Sequence, residues 1–235
     1  MSNTYFKFKQ FTVFHDRCAM RVGTDGVLLG AWASVEGVRR VLDVGTGSGL
    51  IALQVAQRSP EARVVALEID PEAAAQAREN VERSPWAARV EVVHGDFRSY
   101  VPVGNFDLIV SNPPYFVDAL RSPDARRRMA RHTEELDYPL LFRRSLDMLA
   151  RGGRLAVIIP TEVEKLALES AFACGWYVGR RTNVHTKPGK KCRRLLLEFV
   201  AGPAMCVSTD LYIEQAGGGY SEEYARLTGE FYLAL

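Results

Sequence analysis

The chain has 235 residues, of which 47% are hydrophobic and 25% are charged, a balance typical of a globular protein with a full hydrophobic core. Its formal net charge of +2 does not by itself indicate a nucleic-acid partner, and no apolar run approaches the ~20 residues that span a bilayer. Residues 1–11 lack the apolar core of a signal peptide, and the four cysteines form no C-x-x-C pair. We therefore expect a cytoplasmic protein with free thiols, no membrane segment and no metal site.

Short apolar runs alternate with helical patterns from about residue 40 onward. Strands are predicted at residues 40–44, 63–69, 88–95, 105–111, 154–160, 176–183 and 193–200. Helices are predicted at residues 50–58, from Pro71 after a capping Asp70, from Asp137 to the glycine pair at 152–153, and near 162–174. This alternation predicts an α/β fold with a mainly parallel, doubly wound sheet, in which ligands bind beyond the carboxyl ends of the strands.

A glycine-rich sequence, DVGTGSG at residues 43–49, follows the first of these strands. Glycines at such a turn let the backbone bend tightly and approach a ligand without an intervening side chain. The next strand ends in Glu68, whose carboxylate can accept hydrogen bonds from the two hydroxyls of a ribose. The strand after that leads to Asp96, which can accept a hydrogen bond from an adenine amino group, and to Phe97, which can lie on the ring. The pattern predicts a site for a nucleoside-containing cofactor.

This pattern is compatible with either S-adenosylmethionine or NAD, because residues 47–52 also match the G-x-G-x-x-A fingerprint of NAD-binding proteins. Asp43 favours S-adenosylmethionine, since a carboxylate beside the glycines can meet the cationic amino group of a methionine moiety. A dinucleotide site instead leaves its helix N-terminus free for pyrophosphate. The predicted cofactor-binding residues are Asp43, Gly45, Thr46, Gly47, Gly49, Glu68, Ile69, Asp96, Phe97 and Asn112.

The fourth strand ends in Asn112-Pro113-Pro114-Tyr115, which we predict to be the catalytic group. An exocyclic amino nitrogen is a weak nucleophile because its lone pair is delocalised into the ring. The Asn112 side-chain oxygen and the Pro113 carbonyl oxygen can each accept a hydrogen bond from one N–H of this amino group, which localises the nitrogen lone pair. The Tyr115 ring can stack on a flipped base. Consecutive prolines also make a rigid turn, but a turn alone does not explain the flanking amide and aromatic.

With these motifs the sequence resembles Class I methyltransferases. More narrowly, it is similar to the bacterial tRNA1(Val) adenine-37 N6-methyltransferases. The narrower resemblance rests on the sequences FKFKQFTVFHDRCAMRVGTDGVLLGAW at 6–32, ARHTEELD at 130–137, KPGKKCRRLLLEF at 187–199 and the final segment from residue 211. It implies S-adenosylmethionine as the cofactor, tRNA as the partner and N6 of the adenine beside the anticodon as the target. It also implies that Thr24 and Asp25 lie near the methionine end of the cofactor.

The resemblance further implies a Rossmann-like Class I fold with a mixed seven-stranded sheet and helices on both faces. We expect three parts: residues 1–35 as an extension that covers the cofactor site, residues 36–200 as the methyltransferase domain, and residues 201–235 as a tail that packs on the core. The aromatics of the first fifteen residues either pack a hairpin onto the core or form an RNA-stacking strip, and we favour packing. We expect a monomer.

Basic residues concentrate in two places, and we predict that both bind the phosphates of RNA. One run follows closely on the Asn-Pro-Pro-Tyr turn and the other surrounds a turn at Pro188-Gly189. The predicted RNA-binding residues are Arg121, Arg126, Arg127, Arg128, Arg131, Lys187, Lys190, Lys191 and Arg193.

Three alternatives remain open on the residues alone. Similar Asn-Pro-Pro-Tyr motifs occur in guanine-N2 methyltransferases of ribosomal RNA and in glutamine-N5 methyltransferases of release factors. A second alternative is a protein that binds RNA or cofactor without turnover. The third is an NAD-dependent oxidoreductase.

Overall fold

The structure of the chain, a computed structural model, describes residues 3–113 and 137–234. An amino-terminal hairpin of β1 (Tyr5–Lys7) and β2 (Thr12–Phe14) precedes the first helix, α1 (Thr24–Trp32). The core strands are β3 (Arg40–Val44), β4 (Arg63–Glu68), β5 (Val90–His94), β6 (Phe106–Ser111), β7 (Leu149–Pro160), β8 (Trp176–His185), β9 (Cys192–Ala201) and β10 (Val207–Tyr212). The other α-helices are α2 (Leu50–Arg58), α3 (Pro71–Glu82), α4 (Tyr138–Asp147), α5 (Glu164–Ala173) and α6 (Glu222–Thr228), with a short 3₁₀ turn at Thr161–Val163.

The core strands form one sheet in the order β10-β8-β9-β7-β6-β3-β4-β5. All neighbours pair in parallel except β9, which runs antiparallel to both β7 and β8. The predicted α/β class and mainly parallel sheet are therefore confirmed. Strand β3 lies between β4 and β6. The strands that follow it along the chain therefore add first on one side of β3 and then on the other, which makes the carboxyl end of β3 the topological switch point of the sheet.

The predicted number of seven strands is wrong, because eight strands from the described residues form this sheet. Strand β10 comes from the carboxyl-terminal region and pairs in parallel with β8, with Tyr212 opposite His185. Only Leu211 of its residues is fully buried, so this edge strand carries almost none of the apolar pattern by which a strand is recognised. The expected boundaries of the three parts stay a prediction.

Side-chain caps begin three of the helices. Asp70 accepts a hydrogen bond from the Ala73 N–H at 2.8 Å, ahead of Pro71 at the first helical position. Asp137 caps α4 through the Leu140 N–H at 2.7 Å, and the Ser221 hydroxyl caps α6. Each cap accepts a hydrogen bond from a backbone N–H that has no partner within the helix, and the predicted starting points at Asp70 and Asp137 are confirmed.

Hydrophobic side chains cover both faces of the sheet. Successive residues of β3 face opposite cores: Val41 packs with α1 and α2, whereas Leu42 packs with α4 and α5. The hairpin joins the first core through Phe8 and Phe11, which are stacked at 4.7 Å and buried. This burial favours the packing role over the RNA-stacking strip. Among the helices of the described ranges, none is long and apolar enough to cross a membrane.

Candidate active site

The carboxyl ends of the neighbouring parallel strands β4, β3 and β6 meet at one edge of the sheet. Val44, the last residue of β3, lies opposite Leu67 of β4 and Ser111 of β6. The Ser111 hydroxyl donates a 2.9 Å hydrogen bond to the Val44 carbonyl and ties the two strand ends together. As a result, the glycine-rich loop after β3 and the Asn-Pro segment after β6 leave the sheet side by side.

The glycine-rich loop is held in a tight bend by its neighbour strand. Gly45, Gly47 and Gly49 have φ values of 71°, 56° and 84°, a left-handed region that glycine adopts without strain. The backbone N–H groups of Gly45 and Thr46 both donate to the Leu67 carbonyl, at 2.9 and 3.0 Å. The loop therefore needs glycine for its conformation and takes its position from β4.

Asp43 lies fully buried beneath this loop. Its Oδ2 accepts hydrogen bonds from the Thr46 hydroxyl at 2.6 Å and the Ala52 N–H at 3.1 Å, which joins β3 to the start of α2. Its Oδ1 has no hydrogen-bond partner among the residues placed in the structure. Burial raises the pKa of Asp43 to about 7, against the lowering effect of those two hydrogen bonds.

Glu68 bridges the glycine-rich loop and the segment after β4. Its Oε2 accepts from the Gly47 N–H at 2.8 Å, and its Oε1 accepts from the Asp70 N–H at 3.0 Å. Each carboxylate oxygen can accept a further hydrogen bond, so the group remains able to bind a ribose hydroxyl.

A cavity of about 610 Å³ opens at this edge, within the range typical of small-molecule sites. Of the predicted site residues, those that line it are Gly45, Gly47, Glu68, Ile69, Asp96, Phe97, Asn112 and Pro113. Asp43, Thr46 and Gly49 are not among the lining residues and support the loop instead, with Gly49 at the N-cap of α2. Asn112 is partly buried and Pro113 is buried. The predicted Pro114 and Tyr115 lie outside the described residues.

The charge of the cavity wall is mainly negative. Four carboxylates line it, those of Glu68, Asp70, Glu72 and Asp96, against the guanidinium groups of Arg17 and Arg98. Arg98 forms a 2.6 Å ion pair with Asp96, and Arg17 pairs with Glu79 at 2.5 Å. The hydrogen bonds from Arg98 hold the pKa of Asp96 below its usual range, so that acid is ionised. Such a wall suits a cationic ligand better than the pyrophosphate of a dinucleotide.

Thr24 and Asp25 lie at the same edge of the sheet but not in this cavity wall. Asp25 accepts a 2.8 Å hydrogen bond from Nε of Arg194, at the start of β9. Thr24 lines a separate cavity of about 300 Å³ together with Arg193 and Arg194. The expectation that both residues lie near the cofactor stays a prediction.

One of the two basic runs lies within the described residues, at the same edge of the sheet as the cavity. Strand β8 runs parallel to β7, because both pair antiparallel with β9, so the turn after His185 projects beyond the carboxyl ends. His185 lies 2.9 Å from the Lys190 carbonyl and 3.2 Å from Asp210 of β10, and so joins the turn to the eighth strand. Lys187, Lys190, Lys191 and Arg193 border a groove of about 560 Å³. The other run, Arg121, Arg126, Arg127, Arg128 and Arg131, lies outside the described residues.

Comparison with known proteins decides the family. Residues 27–174 match the family model of the methyltransferase small domain. A tRNA1(Val) (adenine(37)-N6)-methyltransferase of Bacteroides thetaiotaomicron is 53% identical, with all of both chains covered. One of Escherichia coli is 43% identical, with 98% of this chain and 95% of that protein covered. The chain belongs to the tRNA1(Val) (adenine(37)-N6)-methyltransferase family.

Solved structures agree with this family in their fold. A predicted O-methyltransferase from Agrobacterium tumefaciens superposes with a TM-score of 0.72 at 21% identity, over 88% of this chain and 96% of that one. A glycopeptide N-methyltransferase complexed with S-adenosyl-L-methionine superposes with a TM-score of 0.56 at 15% identity, over 78% and 90% of the two chains. The predicted Class I methyltransferase fold is confirmed.

Membership in this family makes the chain an S-adenosylmethionine-dependent methyltransferase, and the predicted cofactor is confirmed. The residues present fit that cofactor, which carries a sulfonium and an ammonium group, because the cavity is lined by carboxylates and Asp43 leaves a buried acceptor beneath its loop. The NAD-dependent oxidoreductase and the binding protein without turnover are therefore wrong. Within residues 3–113 and 137–234, no cluster of three or more His, Cys, Asp or Glu side chains is arranged to hold a metal.

Residues 17–20 form one wall of the cavity, and none of these four residues was predicted individually as a site residue. These residues lie more than twenty positions before the glycine-rich loop, and no spacing rule connects the two. Residues 1–35 were expected to cover the cofactor site, but the resemblance of residues 6–32 to the family placed only Thr24 and Asp25 near the cofactor.

Proposed function

We propose that this enzyme transfers the methyl group of S-adenosylmethionine to N6 of adenine 37 in tRNA1(Val). The single observation that carries the proposal is the position of Asn112 and Pro113 in the wall of the acidic cavity, in a chain whose full-length relatives bear that activity in their names. An amine-binding group and a methyl donor site are thus contiguous, as direct transfer requires.

The cofactor supplies an electrophilic methyl group on a sulfonium. Within the protein, Asn112 Oδ1 and the Pro113 carbonyl accept hydrogen bonds from the amino group of the adenine, so that its lone pair points toward that methyl. When bound there, S-adenosylmethionine would supply this methyl group to the nitrogen and remain as S-adenosylhomocysteine, and water would take the proton that the nitrogen sheds. Glu68, Asp96 and Phe97 hold the cofactor nucleoside, and the glycine-rich loop with Asp43 accommodates its methionine end. In this proposal the Tyr115 ring stacks on the flipped adenine.

RNA binding is assigned to the basic turn at residues 186–191 with Arg193, together with the predicted basic run that ends at Arg131. The support for the turn is its position at the edge of the sheet that carries Asn112, and its three lysines. A duplex or stem backbone on this edge brings an anticodon loop within reach of the cavity. The unpaired bases of such a loop are those a methyltransferase can flip at the lowest cost.

The experiment is a transfer assay with labelled S-adenosylmethionine and unmodified tRNA1(Val), followed by digestion and mass spectrometry. The expected product is N6-methyladenosine at position 37, absent when the transcript carries another base at that position. N2-methylguanosine in ribosomal RNA, or labelled glutamine in a release factor, would instead support the alternative substrates.

A further inference from the structure

Residues 17–20 of the cavity wall belong to a segment we call the strap, residues 14–20, which begins at the last residue of β2 and leads from the amino-terminal hairpin toward α1. Arg17, Cys18, Ala19 and Met20 of the strap line the cavity together with Gly45 and Gly47 of the glycine-rich loop. Residues 15–20 of the strap have no regular secondary structure, so their backbone groups need partners elsewhere.

Those partners are two buried amides of α3. Gln76 and Asn80 are each 1% exposed and are spaced four residues apart, which places them on one face of the helix. Gln76 Oε1 accepts from the Arg17 N–H at 2.9 Å and from the Cys18 thiol at 3.1 Å, while its Nε2 donates to Asp16 at 2.6 Å. One side chain thus binds three consecutive residues of the strap.

Asn80 continues the same arrangement toward the glycine-rich loop. Its Oδ1 accepts from the Phe14 N–H at 2.9 Å, and its Nδ2 donates to the Phe14 carbonyl at 2.8 Å. The same Nδ2 donates to the carbonyl of Ser48, inside the loop, at 2.9 Å. Asn80 is therefore a direct link between the strap and the glycine-rich loop.

We infer that Gln76 and Asn80 are positioning residues that hold the strap as a wall of the cofactor cavity and thereby set the affinity for S-adenosylmethionine. Neither side chain lines the cavity, so neither acts by touching the cofactor. Their effect comes from ordering the strap before binding, because a wall that must first be ordered by the ligand costs part of the binding free energy. The inference concerns the cofactor and does not depend on which RNA is methylated.

The test is the affinity of the full-length protein for S-adenosylhomocysteine, measured by titration calorimetry. Gln76→Ala removes the three hydrogen bonds by which this side chain orders the strap, and it is expected to raise Kd about tenfold. The matched control is Lys9→Ala, which removes a hydrogen bond from the hairpin to the Gly229 carbonyl but leaves the strap contacts intact, and it should leave Kd unchanged. Hydrogen exchange in the ligand-free protein should become faster over residues 14–20 in Gln76→Ala and not in Lys9→Ala.

A pair of substitutions at the exposed Asp16 repeats the test without disturbing the buried amide. Asp16→Ala removes the acceptor for Gln76 Nε2 and should raise Kd about threefold, as expected for one partly exposed hydrogen bond. Asp16→Asn keeps an oxygen acceptor at that position and should rescue the affinity. This pair stays informative if Gln76→Ala does not fold.

Turnover with tRNA separates positioning from general damage, and this part rests on the proposed function. In Gln76→Ala the KM for S-adenosylmethionine should rise with Kd, while kcat at saturating cofactor stays within about twofold, since Asn112 is untouched. The inference is overturned if folded Gln76→Ala binds S-adenosylhomocysteine as the wild type does. It is equally overturned if Lys9→Ala weakens binding to the same extent, or if Asp16→Ala and Asp16→Asn behave alike.

Discussion

The Glu68 carboxylate accepts a 2.8 Å hydrogen bond from the backbone N–H of Gly47, so the acid at the end of β4 holds the loop at the end of β3. This one contact makes Glu68 both a ligand candidate and a support for the loop. The two parts of the cofactor site that the sequence analysis identified separately are therefore a single unit.

Replacement of Glu68 by Ala should weaken binding of S-adenosylhomocysteine by roughly 10- to 100-fold, the range for loss of hydrogen bonds to a charged acceptor. Both the ribose acceptor and the Gly47 contact are lost at once. Titration calorimetry measures the effect, with Glu82→Ala as the control, because Glu82 is an exposed acid at the far end of α3. Unchanged affinity in Glu68→Ala would remove this residue from the site.

Substitution of Asn112 by Ala should lower kcat by about 10²–10³-fold, the usual cost of removing one preorganised polar group at a reacting centre. Affinity for S-adenosylhomocysteine should change by no more than a few fold, because the other lining residues remain. Single-turnover transfer to unmodified tRNA gives the rate, and calorimetry gives the affinity. A variant that keeps full rate would show that the catalytic assignment is wrong.

The buried Asp43 predicts a pH dependence of stability in the ligand-free protein. Its folded pKa of about 7 lies above the ordinary value of 3.8, so between these limits the folded state binds more protons than the unfolded state. Stability contributed by this protonated carboxyl is thus present at low pH and lost as pH rises through about 7. Urea unfolding of the wild type and of Asp43→Asn should give a free-energy difference that grows in favour of the variant from pH 4 to pH 7 and is flat above. A constant difference would contradict the raised pKa.

Salt should weaken tRNA binding steeply if the basic turn contacts phosphates, by about 0.7–0.9 log unit per contact for each tenfold rise in salt. Replacement of both Lys190 and Lys191 by Ala should make this salt dependence shallower by the amount expected for one or two phosphate contacts. Arg63→Ala is the control, because it also removes a positive charge but this exposed residue begins β4, at the opposite edge of the sheet. Equal slopes for all three proteins would remove the turn from the interface.

Packing between α1 and α2 makes Gly30 intolerant of any side chain. A Cβ at this position would lie 2.2 Å from Oε1 of Gln54, a fully buried residue of α2. We expect Gly30→Ala to destabilise the fold by about 1–3 kcal/mol, as overpacking of a well-packed interior does. Gly217→Ala, where no atom lies within 4 Å and φ is not positive, should be nearly neutral in the same urea titration.

Local rules were sufficient for the elements that carry strong local signals. Strand β3 and helix α2 have the predicted bounds, because each is a short, largely apolar run and the glycine-rich turn separates them. The caps at Asp70 and Asp137 were equally predictable, since the capping hydrogen bond spans three residues. Strand β10 was not predictable, because its polar residues form a strand only through pairing with β8.

By itself, the sequence determined the fold class, the glycine-rich loop and the placement of Glu68, Asp96 and Asn112 after successive strands, because each depends on local pattern and on the rule that parallel strands end at one edge. Only the tertiary structure decided that Asp43 lies beneath the loop rather than in the cavity wall, and that residues 17–20 complete that wall. The physical reason is distance along the chain. The strap reaches the cavity through Gln76 and Asn80, more than fifty residues away, and no local preference encodes contacts of that separation.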